Sequence, residues 1–82
     1  MNVYFLAVFR TRDHTMRFNA ELLRGGFGTS VVNTPRELQS GCGISVKFQE
    51  RALNYAKRAL RYYDYSSFAG FFCRCADGYK RV

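Results

Sequence analysis

Tryptophan is absent from this chain, and proline and histidine occur once each among 82 residues. Cysteine is scarce too: Cys42, Cys73 and Cys75 make an odd set of three. Secreted domains of this size that rely on disulfides carry a denser, even set, so a disulfide framework is not expected. Zinc takes four ligands, and three thiols with one imidazole would all have to converge, so no metal and no cofactor are expected. Acidic side chains are outnumbered, 6 against 13 basic ones, which leaves a net charge of +7. That excess steers the chain toward acidic partners without choosing between protein, RNA and an anionic membrane surface. No apolar run approaches the roughly 20 residues needed to cross a bilayer. The run at 3–9 ends at Arg10 and has neither a basic leader nor a cleavage site. It reads as a buried strand in a cytoplasmic, reduced protein with no membrane partner.

What is present suffices for one folded domain, 1–82. Apolar residues make up 48% of the chain, too many for a disordered tail. A chain this short buries only about 60% of its unfolded surface, leaving little room for a deep, many-walled pocket. Carriage or binding is therefore expected ahead of stand-alone enzyme activity.

Strand formers fill 3–9. Thr11 or Asp13 can cap a helix, with Met16, Ala20 and Leu23 at i, i+4 and i+7 as its inner face and Gly25–Gly26 as its stop. Residues 27–33 read as a second strand, and 35–42 as a loop. Ile44, Val46 and Phe48 alternate with Ser45 and Lys47, the period-2 pattern of a third strand. A helix over 49–63 would bury Ala52, Ala56, Ala59, Leu60 and Tyr63, and a fourth strand over 67–74 precedes a basic tail. The order β-α-β-β-α-β predicts an α+β, ferredoxin-like two-layer sandwich, with a four-stranded antiparallel sheet and both helices on one face.

The segment Thr34-Pro-Arg-Glu-Leu-Gln-Ser-Gly-Cys-Gly-Ile-Ser-Val-Lys-Phe48 holds the chemistry. Pro35, Arg36, Ser40, Cys42 and Gly43, followed by an alternating strand, resemble the signature of the sulfur/selenium carrier protein-like family of small domains. The resemblance covers nearly the whole chain in length and element order. The second half departs from it in a more basic helix and in Cys73 and Cys75. It implies a carrier in which the Cys42 thiol accepts a persulfide or selenide and relays it between donor and acceptor proteins.

Chemistry independent of the resemblance points to the same atom. Gly41 and Gly43 leave Cys42 open and let the chain turn tightly. In the predicted topology the third strand begins at the edge where the first ends. The start of the first helix, with Arg10, Arg12 and His14, and nearby Arg36 would there favour a thiolate. The plainer reading is a small buried hydrophobe at a strand start.

Cys73 and Cys75 share one strand face, but the topology sends them roughly 20 Å from Cys42 at about 3.3 Å per residue, too far for a disulfide. They are expected to be structural. Arg51, Asn54, Arg58 and Arg61, with Lys57 beside them, stripe one side of the second helix. That stripe is either a solvated face or a docking surface for an acidic partner. The alternative function is accordingly a non-catalytic protein- or RNA-binding domain, with Tyr4, Phe71 and the tyrosines near Tyr62–Tyr65 as candidate sheet aromatics. A homodimer through an exposed strand edge is a third expectation. Arg24-Gly25-Gly26-Phe27-Gly28 mimics nucleotide-binding glycine patterns but follows a helix instead of opening one. His14 has no serine or aspartate partner at a recognisable spacing, so hydrolase chemistry is not expected.

Overall fold

A computed structural model of the chain describes residues 3–39 and 41–82. The apolar run forms β1 (Tyr4–Phe9), and Thr11 caps α1 (Arg12–Arg24) by accepting the His14 amide on its side-chain oxygen. β2 (Ser30–Asn33), β3 (Ile44–Gln49), α2 (Leu53–Tyr62), β4 (Phe68–Cys75) and β5 (Gly78–Arg81) follow. Single 3-10 turns lie at Arg36–Leu38, within the β2–β3 loop, and at Glu50–Ala52, ahead of α2.

The architecture is α+β, with two helices on an antiparallel sheet of order β2-β3-β1-β4-β5. Five strands stand where four were expected. The basic tail turns at Ala76–Asp77 and pairs with β4, Cys75 opposite Gly78 and Phe72 opposite Arg81. Its alternating Tyr79 and Arg81 were too few residues to show a period. Among the described residues no helix is long and apolar enough to cross a membrane.

Side chains alternate along β1, so Phe5, Ala7 and Phe9 meet the helices while Tyr4, Leu6 and Val8 face away. The core joins those three to Val46 and Phe48 of β3, Phe71 of β4, Phe18 and Leu22 of α1, and Ala52, Ala56 and Ala59 of the α2 region. The inner face of α1 is rotated from the expected one. Phe18 and Leu22, one turn apart, are fully buried, whereas Met16 and Leu23 are 44% and 49% exposed. An aromatic ring at 18 has more apolar area to remove from water than methionine or alanine at 16 and 20, so it sets the helix rotation. Tyr63, expected inside, is likewise exposed, because α2 ends one residue earlier.

Candidate functional site

β1 and β3 run antiparallel with Val8 opposite Ser45, so the start of β3 lies at the end of β1, where α1 begins. That register places Cys42. Its Sγ is 3.3 Å from the Phe9 carbonyl oxygen, 3.3 Å from that of Ile44, and 3.6 Å from Thr15 Oγ1 in the first turn of α1. The side chain is half-buried and the thiol is free. The loop reaches this point only through unusual backbone. Gly41 has φ +127 and Gly43 φ +81, and a Cβ at Gly41 would lie 3.2 Å from the Arg10 carbonyl oxygen. Both positive φ values are ones that glycine adopts without the strain a Cβ would bring.

Among the described residues, the groups hydrogen-bonded to the sulfur are uncharged. The thiol has two carbonyls to donate to. A sulfur that has given up its proton, or carries another sulfur in place of it, instead needs a donor. The Thr15 hydroxyl is at hand: it now donates to the Thr11 carbonyl at 3.1 Å and needs only to rotate. Thr15 is fully buried, and no spacing in the sequence singled it out.

The expected cations are placed variously. Arg10 turns its guanidinium to the Ser66 carbonyl, 3.3 Å away. Arg12 and Arg36 are exposed, and Pro35 is half-buried at the head of the 3-10 turn. Ser40 lies outside the described residues. Thr34, buried, fixes the root of the loop through its hydroxyl to Ser45 Oγ at 2.6 Å and its amide to the Gly43 carbonyl.

His14 meets a serine that no recognisable spacing announced. Its Nδ1 is 2.6 Å from Ser67 Oγ and accepts the Ser67 amide at 3.4 Å, and Ser67 Oγ also meets Thr11 Oγ1. A 53-residue separation gave no local signal. Ser67 is 7% exposed, so the pair clasps the start of β4 to the start of α1 and offers no open nucleophile.

Cys73 pairs with Phe5, at the opposite end of β1 from the Cys42 loop. That is four residues from Phe9, about 13 Å at ~3.3 Å per residue. Burial pushes the Cys73 thiol up, and the neighbouring Cys75 adds to the shift. No cluster of potential metal ligands occurs among the described residues. On the helix side, Arg58 and Arg61 are exposed on α2, while Arg51 lies in the preceding 3-10 turn with its guanidinium 5.3 Å from the Phe27 ring centre. Phe71, a candidate exposed aromatic, is instead 5% exposed in the core, because it has the parity of Ala7 in the β1–β4 register.

No curated protein and no solved structure matches the chain. One family model does, described as "Putative Se/S carrier protein-like" and matched over residues 4–66. That span runs from β1 through the Cys42 loop to the end of α2 and stops before β4. By that match over most of its length, the chain belongs to the Se/S carrier protein-like family.

Proposed function

We propose that this protein carries sulfur or selenium on Cys42 and passes it between a donor and an acceptor protein. The observation that carries the reading is the seat of the Cys42 sulfur. It is held at the head of β3 between two left-handed glycines, half-buried, with a helix-start hydroxyl in reach. Strand order and helix placement support a ferredoxin-like core, extended by β5.

In the transfer, the ionised Cys42 sulfur attacks the terminal sulfur of a donor persulfide. A Cys42–sulfur bond forms, the donor S–S bond breaks, and the donor leaves as a thiol after taking up the proton Cys42 gave up. No net oxidation occurs, and an acceptor thiol removes the sulfur by the same exchange. Thr15 supplies a hydrogen bond to the sulfur once its own proton is gone. Pro35, Arg36, Gly41 and Gly43 form the loop that presents it. Arg51, Arg58 and Arg61 form the basic surface for an acidic donor or acceptor. Three free thiols suit a reducing, cytoplasmic setting.

The test is intact and peptide mass spectrometry after incubation with a cysteine desulfurase and cysteine. A gain of about 32 Da on Cys42, absent in Cys42→Ser, is expected. A Cys42 that is readily alkylated by iodoacetamide yet never gains sulfur sinks the proposal.

A further inference from the structure

The sheet face turned away from the helices is an array of rings and cations, and its register can be read rank by rank. One rank crosses the sheet as Lys47, Leu6, Phe72 and Arg81, paired in turn from β3 to β5. The next carries Gln49 opposite Tyr4, and Arg74 opposite Tyr79. Each aromatic ring has a cation over it: Lys47 Nζ is 4.4 Å from the Tyr4 ring centre, Arg74 Cζ 5.1 Å from Tyr79, and Arg81 Cζ 5.9 Å from Phe72. Tyr4 and Tyr79 join through their hydroxyls at 3.3 Å. A concavity of about 320 Å³ opens beside Tyr4 and Lys47, lined also by Ser30, Phe48 and Gln49.

We infer that this face binds single-stranded RNA. Three cations, Lys47, Arg74 and Arg81, stand on it, and Glu37 acts on Tyr79. Its charge therefore complements a polyanion. The rings and guanidinium planes are what unpaired bases stack on. From Lys47 to Arg81 is three strand spacings, about 14 Å at ~4.8 Å each, enough for two or three nucleotides. A cation resting on a ring can slide to a phosphate as a base takes its place, or continue the stack. Phe72, Arg74, Tyr79 and Arg81 all lie beyond residues 4–66, the span the family model matches. It is also separate from the exposed basic stripe of α2.

Fluorescence anisotropy with a short, labelled, mixed-sequence single-stranded RNA tests the inference, with hairpin RNA and polyglutamate as comparators. Single-stranded RNA should bind tightest, with a log-log salt slope near −2 from three phosphate contacts at about −0.7 each. Phe72→Leu and Tyr79→Leu, which keep apolar bulk and lose the ring, should each weaken binding about five- to a hundredfold. Arg58→Glu/Arg61→Glu on α2 should change it less than about threefold relative to its effect on net charge. Amide shift mapping on the unaltered protein should place the strand on β1, β4 and β5, whatever any variant does to folding. Equal affinity for polyglutamate, shifts centred on α2, or Leu variants that bind like the parent overturn the proposal. Cys42→Ser should bind normally, so this outcome and that of the sulfur-transfer test are independent.

Discussion

The two faces of the sheet draw on the same residue classes and use them differently. On the covered face, Phe5, Phe48 and Phe71 pack ring against ring with Phe9 and Phe18, and each is 5% exposed or less. On the open face, Tyr4, Phe72 and Tyr79 are half-buried and lie under cations instead of under helices. Leu6 and Val8 are both 1% exposed although they point the same way as Tyr4. The open face is thus well packed along its centre, with its polar and charged groups carried by the flanking strands. Burial alone does not separate a ring that stabilises the domain from a ring available to a partner. What covers the ring does: a helix is permanent, and a flexible cationic side chain is displaceable.

The sharpest way to break this contrast is a matched pair of truncations. Phe18→Ala empties a fully buried site in contact with the Phe9, Tyr65 and Phe71 rings and should cost about 3–5 kcal/mol. Phe72→Ala removes a half-buried ring under an arginine and should cost less than about half of that. Urea unfolding of both variants, compared at equal m-value, decides the matter. Equal losses would mean that the open face is a second core and not a surface.

Gly41 probes the seam between the faces, because the loop anchored beside Ser45 on the open side delivers Cys42 to the covered side. Gly41→Ala forces a side chain into φ +127 and against the Arg10 carbonyl. A loss of about 1–3 kcal/mol is expected, with faster alkylation of Cys42 as the loop lifts. Gly26→Ala is the control: its φ is also positive, at +91, but the added carbon meets open space. Its cost should be smaller, and Cys42 reactivity should not change. If both variants behave alike, the close approach of Gly41 to Arg10 contributes nothing.

Much of this was legible in advance, and the failures have physical causes. The alternation Ile44–Phe48 and the Thr11 cap are local patterns, and both are present in the structure. Placing Cys42 beside the start of α1 followed from topology, since antiparallel β1 and β3 must bring those ends together. The rotation of α1 was misjudged because Met16, Ala20 and Leu23 fit a helical period as well as Phe18 and Leu22 do. Spacing cannot rank two stripes, and buried ring area does. β5 escaped because four residues following a turn show no period by themselves. The His14–Ser67 clasp and the contact of Thr15 with Cys42 depend on contacts between distant segments or on a side-chain direction, which no single window of sequence contains.

The smallest expected effect concerns the hydroxyl pair on the open face. The Tyr79 phenol is pushed up from 10.0 to about 12, first by its hydrogen bond with Tyr4, then by burial, with Arg74 opposing. A raised pKa in the folded state means that, between pH 10 and about 12, the folded chain holds a proton that the unfolded chain has released. The stabilisation is therefore complete below pH 10 and fades as pH rises through that window. Tyr79→Phe removes the titrating group, so its stability should fall less steeply with alkaline pH than that of the parent. Tyr65 and Cys73, whose burial raises them as well, titrate in both proteins and cancel in the comparison. Parallel alkaline limbs in urea unfolding would show that the Tyr4–Tyr79 contact is not held in solution. The two rings would then be free to part, and the open face would lose a hydrogen bond between side chains that ties β1 to β5.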